Sequence, residues 1–93
     1  MATVIIPTPL RKFTQLQSKV QLNGETVGAV IQDLTTQFPD LKKHLLDENQ
    51  SLRSFVNVFV EDDDIRDLNH TDTVVSDKTV ISIVPAIAGG AIF

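Results

Sequence analysis

The spacing of apolar residues changes period twice along the chain, and each change marks an element. Thr3-Val4-Ile5-Ile6 is a β-branched run closed by Pro7-Thr8-Pro9, and Lys19-Val20-Gln21-Leu22 alternates polar and apolar before Asn23-Gly24. Two strands paired as a hairpin are predicted. Their connection, 7–18, is longer than a tight turn, so Leu10, Phe13 and Leu16 are expected to close it over the core. The period then becomes helical: Val27, Val30, Ile31, Leu34 and Phe38 form one apolar stripe. Thr26 is placed to cap its start, and Pro39 disfavours helical geometry at Phe38 and so sets its end. Residues 41–46 predict a further short helical turn, and 47–51 a solvated loop.

Strand alternation returns at 55–60. Val56, Val58 and Val60 share one face, while Phe55, Asn57 and Phe59 share the other. The polar Asn57 marks that second face as incompletely buried, which places two phenylalanines on an open surface. Glu61-Asp62-Asp63-Asp64 reads as a charged turn into a short Ile65-Arg66 strand, followed by a loop over 68–78 anchored at Val74 or Val75. The last strand covers 79–84, with Ile81 and Ile83 on one side and Val80, Ser82 and Val84 on the other. The simplest arrangement lays the single main helix over one face of a mixed sheet of four to five strands. A right-handed crossover from the second strand to the third long strand closes the core. That is an α+β fold of the β-grasp type. It divides into a folded domain over 1–85 and a tail over 86–93.

Composition narrows the function classes. Ninety-three residues give room for one domain, and 42% hydrophobic with 22% charged residues is ordinary globular usage. The net charge of −4, with eight lysines and arginines scattered along the sequence, argues against a nucleic-acid partner. No basic leader and no apolar run near the ~20 residues of a membrane span are present, so a cytoplasmic protein without a membrane partner is expected. The chain has no cysteine, which excludes a disulfide framework, a cysteine-based zinc site, an iron–sulfur cluster and a thiol nucleophile. Sulfur handled by this protein would have to be carried elsewhere than on a side chain.

The most unusual stretch is Pro85-Ala86-Ile87-Ala88-Gly89-Gly90-Ala91-Ile92-Phe93. Pro85 lacks an N–H and cannot continue a sheet ladder, so the residues after it should leave the domain. Ala86, Ile87, Ala88 and Gly89 form a slim, uncharged segment that fits a narrow channel, and glycine leaves the Gly90 carbonyl open to attack. Three residues then follow, so chemistry at the Gly90 carboxyl first requires a cut between Gly90 and Ala91.

Several stretches together resemble the ubiquitin-like sulfur carriers, the family of the small subunit of molybdopterin synthase and ThiS. They are Pro7-Thr8-Pro9-Leu10-Arg11-Lys12, the helix ending at Pro39, Phe55-Val56-Asn57-Val58-Phe59-Val60 with Asp64-Ile65-Arg66, and the final strand ending Val84-Pro85-Ala86-Ile87-Ala88-Gly89-Gly90. The resemblance covers essentially the whole chain and comes nearest to the cysteine-biosynthetic branch. It implies a protein substrate rather than an enzyme. An E1-like adenylyltransferase would activate the freed Gly90 carboxylate with ATP, and a sulfur donor would displace AMP to leave a thiocarboxylate. In the cysteine branch the thiocarboxylate sulfur passes to a pyridoxal-phosphate cysteine synthase, and a zinc metalloprotease releases the product; the same protease is a plausible agent for removing 91–93. Molybdopterin and thiazole synthesis use the same carrier chemistry, and a modifier joined to lysines would use the same tail. A plain interaction domain whose tail never reacts is the remaining alternative. The carrier itself would bind no cofactor.

Phe55, Phe59, Ser82 and Val84 are the expected docking patch for an activating or acceptor enzyme, because adjacent exposed apolar groups mark interaction sites; loops covering them are the alternative. His44 and His70 are far apart in sequence with no cysteine to join them, so no metal site is expected. Residues 61–64 lack the ligand spacing of a calcium loop. Asn69-His70-Thr71 matches a glycosylation triplet that is idle without secretion. Arg11 and Lys12 read as a solvated pair, with an acidic partner surface as the alternative. Two departures from the family pattern, Asp77-Lys78-Thr79 and the glycine-free Phe13-Thr14-Gln15, fall in loops.

Overall fold

The opening run and the alternating segment after it form an antiparallel hairpin, β1 (Ala2–Ile5) and β2 (Lys19–Leu22), with Val4 opposite Val20. The computed structural model describes residues 1–85. The chain then enters helix α1 (Val27–Gln37), a short turn Pro39–Leu41 and helix α2 (Lys42–Leu45). It returns through β3 (Val56–Val60), β4 (Asp63–Asp64) and β5 (Val80–Pro85). The sheet order is β2-β1-β5-β3-β4, with β1 and β5 parallel and the other pairs antiparallel. A mixed five-stranded sheet with one main helix is the β-grasp arrangement. No helix among the described residues is long and apolar enough to cross a membrane.

The helix begins and ends where local chemistry dictates. The Thr26 side-chain oxygen accepts a hydrogen bond from the Ala29 N–H at 3.2 Å, satisfying one of the donors that a helix start leaves open. Phe38 leaves helical geometry at φ −126°, ψ 78°, as a residue before proline tends to do. Between them Val27, Val30, Ile31 and Leu34 are buried against the inward faces of the strands, Val4, Leu22, Val58, Ile81 and Ile83 among them. Gly24, at φ +155°, makes the turn into the helix possible. A Cβ there would stand 2.6 Å from the Val30 backbone nitrogen, so no other residue fits without moving the helix.

Three details depart from expectation. Leu10 is buried and Phe13 packs against the core, but Leu16 is 79% exposed. Gln15 and Leu16 both take left-handed geometry (φ 56° and 67°), and this turns the Leu16 side chain to solvent instead of onto the core. The buried Thr14 hydroxyl beside them lies 3.1 and 2.9 Å from the Arg11 and Gln17 carbonyl oxygens and shares its proton between them, which holds the turn. Ile65-Arg66 is not a strand. The short strand is Asp63–Asp64, and Ile65–Asp67 is a 3-10 turn capped by Asp64, whose carboxylate accepts from the Arg66 N–H at 2.9 Å. A side-chain cap competes with the ladder here, and Ile65 is drawn into the core. Of the two anchors considered for the long loop, Val75 is buried, while Val74 stays exposed and bridges to Thr26.

Candidate functional site

The strand that carries the chain to its tail lies at the centre of the sheet. β5 is flanked by β1 on one side and β3 on the other, and its inward residues Ile81 and Ile83 are buried. Pro85 pairs in register with Val56 and is the last described residue. Pro85 is therefore held in the central strand from which the chain continues. The expected activation, tail-recognition and processing residues, Ala86, Ile87, Ala88, Gly89, Gly90 and Ala91, lie outside the described residues, as does the whole tail 86–93.

Three of the four patch residues, Phe59, Ser82 and Val84, come together on the face of the sheet away from α1, while Phe55 lies in the turn just before β3. Phe59 stands opposite Ser82, and Val84 opposite Asn57, in the β3–β5 register. On the other side of β5, Ile5 pairs with Ser82, so one row across the open face reads Lys19, Ile5, Ser82, Phe59, Asp64. Val84 is 45% exposed and Phe55 39% exposed, while Ile5, Phe59 and Ser82 are half-buried. No described loop covers Val84 or Phe55. Ile5 belongs to this surface as well. Its place in the β-branched opening run gave no sign of which face it takes, and only the parallel β1–β5 register settles it.

A polar clamp bounds the patch on the β4 side. The Arg66 guanidinium donates to Asn57 Oδ1 at 2.6 Å and to Asp64 Oδ2 at 2.7 Å. The Asp64 carboxyl is held below the usual carboxylate range, first by that side-chain hydrogen bond and then by the Arg66 backbone N–H. Asn57 is thus an anchor for Arg66, and the polar residue that marks the open face also fixes its border.

At the end of the sheet where β5 stops, Phe13 stacks on His44 with ring centroids 4.4 Å apart, and the Lys12 ammonium lies 5.2 Å above the Phe13 ring. Burial, and then the nearby Lys43, Lys12 and Arg53, push the His44 imidazole below its ordinary value; Asp40 opposes them. Among the described residues, no group of three or more histidine, aspartate or glutamate side chains is placed to hold a metal ion. The described residues therefore present a partly apolar open face and the end of a central strand, and the tail residues lie outside them.

Comparison with known proteins finds relatives along the whole fold. The sequence profile of the ThiS family matches residues 4–90. The sulfur carrier protein CysO of Mycobacterium tuberculosis is 40% identical over 90 residues, covering 95% of this chain and 97% of that protein. The crystal structure of the Amycolatopsis orientalis BexX/CysO complex contains a chain of 37% identity that superposes with a TM-score of 0.87, covering 97% of this chain and 100% of that one. The small archaeal modifier protein 1 of Methanosarcina acetivorans, at 26% identity, also superposes with a TM-score of 0.87, over 96% of this chain and 95% of that one.

Proposed function

This chain belongs to the ThiS family, whose relatives are sulfur carriers rather than catalysts, and from that premise we propose that its sulfur is carried as a thiocarboxylate on Gly90. The observation that supports this most is the likeness to CysO over 95% of the chain, together with a family match that runs through Gly90 and stops there. Residues 91–93 are removed first, by hydrolysis of the Gly90–Ala91 peptide bond; a zinc metalloprotease is the agent we favour. An oxygen of the freed carboxylate then attacks the α-phosphorus of ATP on an E1-like adenylyltransferase, forming an acyl–AMP anhydride and releasing pyrophosphate. Sulfide adds to the acyl carbon, the carbon–oxygen bond to AMP breaks, and the thiocarboxylate remains. The recipient in this reading is a pyridoxal-phosphate cysteine synthase, and the setting is the cytoplasm.

The chain's own part is presentation. A central strand fixes where the tail starts, and the open face around Phe55, Phe59, Ser82 and Val84 supplies apolar area for docking. A relative from Amycolatopsis orientalis has been crystallised in complex with BexX, which supports a surface made for partners. The test is reconstitution. Chain ending at Gly90, incubated with the E1-like enzyme of its own cells, ATP and sulfide, is expected to gain the mass difference between oxygen and sulfur; an unchanged mass with active enzyme contradicts the reading.

A second reading, a modifier joined through Gly90 to lysines of other proteins, is favoured only by the likeness to small archaeal modifier protein 1. Peptides branched from Gly90 to a lysine would support it.

A further inference from the structure

The cations that look scattered along the sequence are gathered in space. Because β1 and β5 are parallel, the C-terminal ends of both lie at the same end of the sheet, together with the N-terminal ends of their antiparallel neighbours β2 and β3. The segments that cap this end are 6–19 and 38–56, and they are knitted together. Phe13 stacks on His44, the Arg11 Nε donates to the Ile6 carbonyl at 3.0 Å, and the Arg53 Nε donates to the Lys43 carbonyl at 2.8 Å. These two segments hold Arg11, Lys12, Lys19, Lys42, Lys43 and Arg53 against Asp40, Asp47 and Glu48, a net charge of +3. The rest of the chain holds Arg66 and Lys78 against nine carboxylates, a net charge of −7. An acidic protein thus presents one basic end, and it is the end from which residue 86 continues.

Two features make this more than a solvated face. Among the described residues, the ion pairs are Met1 with Asp77 and Arg66 with Asp64; none of the six cations of this end takes part in one. Like charges held at one end without ion-pair partners repel, so their charge, as distinct from the hydrogen bonds of Arg11 and Arg53 to backbone carbonyls, does not stabilise the fold. The cluster also borders the apolar patch. Lys19 stands in the same row as Ile5, Ser82 and Phe59, and Arg53 lies two residues before Phe55. An apolar centre with a charged border is the usual build of a docking surface, the border setting orientation and association rate.

We propose that Arg11, Lys12, Lys19, Lys42, Lys43 and Arg53 form a basic rim that steers the tail end of this protein onto an acidic protein surface, the one surrounding the cleft that receives Gly90 in its activating enzyme. This rests on the sulfur-carrier reading and adds the charge of the partner. The negative remainder of the molecule strengthens the effect, because it repels the same surface and so orients the approach. It also disfavours a polyanion such as nucleic acid, which would meet −7 beyond the rim.

The test compares the Gly90-ending chain with the triple variant Lys12→Gln/Lys42→Gln/Lys43→Gln and with the control Lys78→Gln, which lies outside the rim. All three are assayed with the E1-like enzyme of the same cells for ATP-dependent thiocarboxylate formation at low and high salt. At low salt the triple variant should show kcat/KM lower by about tenfold, carried by KM with kcat unchanged, while Lys78→Gln matches the parent. Added salt should depress the parent and leave the triple variant nearly flat. Equal kcat/KM and equal salt dependence for parent and triple variant, with thiocarboxylate forming in both, would overturn the rim and leave the carrier reading standing. No thiocarboxylate from the parent at any salt would remove both. A labelled single-stranded oligonucleotide is the remaining probe: binding that the triple variant abolishes would overturn the acidic-protein assignment in favour of nucleic acid.

Discussion

The two faces of the central strands obey different rules although they share a backbone. On the inward side of β3 and β5, Val58, Ile81 and Ile83 are buried against α1, and every position is apolar. On the outward side the same strands carry Phe59, Ser82, Val84 and Asn57, a mixture in which apolar groups remain half-exposed and the one amide is clamped by Arg66. The inward face is what packing free energy alone selects. The outward face keeps large apolar groups in contact with water, which folding does not require, and its border of Lys19, Arg66 and Asp64 would be wasted in a core. The contrast separates residues that hold the fold from residues that the fold leaves available to a partner under the proposed function.

Substitutions can break the contrast at either face. The largest loss of stability is expected at the inward face. Leu34→Ala or Ile81→Ala should cost about 2–5 kcal/mol in denaturant unfolding, because both side chains are fully buried and leave a cavity. Gly24→Ala belongs in the same class, at about 2–4 kcal/mol, since the added carbon meets helix backbone rather than a flexible side chain. A loss below about 0.5 kcal/mol for Gly24→Ala would mean that the turn relaxes freely.

The outward face should behave in the opposite way. Val84→Asp is expected to change stability by less than about 1 kcal/mol and to weaken docking to the activating enzyme by about tenfold or more, measured as KM for the carrier. A variant that unfolds but still docks would reverse the assignment of the two faces.

Smaller effects refine the edges of the comparison. Leu16→Gly should raise stability by about 0.5–1 kcal/mol, since glycine takes left-handed geometry without the steric cost that leucine meets. His44 supplies a pH signature for the basic end. Its folded-state value lies below the unfolded one, so the folded protein binds its proton less readily than the unfolded chain does. Its contribution to stability is complete above the unfolded value of 6.5 and is lost as pH falls from there through the folded value. The imidazole is only half-buried, so the effect on stability is small, but its NMR titration is direct. The midpoint should lie below 6.5 and should rise in Lys43→Gln, because Lys43 is the first of the charges acting on it after burial.

Much of the fold can be read locally. The helix shows its cap at Thr26, its stripe from Val27 to Phe38 and its stop at Pro39 within one short stretch; cap and stop are realised, and the stripe is buried through Leu34, while Phe38 falls just past the helix end and is only partly buried. The alternation of 55–60 separates Val56 and Val58 from Phe59 because the strand period allows no other division. What stays hidden depends on contacts between distant segments or on local competition. Leu16 looks like a third core residue beside Leu10 and Phe13, and only the left-handed pair Gln15-Leu16 turns it outward. Ile65-Arg66 has strand-like composition, yet the Asp64 side chain captures the Arg66 N–H and winds the segment. The basic end is invisible in one dimension, because the segments that carry Lys12 and Lys43 are joined by a long-range contact, the Phe13–His44 stack. The outward residues Phe59, Ser82 and Val84 could be found by alternation, but Ile5 joins them on that face through the parallel pairing of β1 with β5, a long-range fact.

The most direct test of the central claim is the intact mass of the untagged protein recovered from its own cells. A species ending at Gly90 in which one oxygen is replaced by sulfur is the expected result. Chain recovered only at its full length to Phe93, or ending at Gly90 with an ordinary carboxylate while the activating enzyme is present and active, would contradict it.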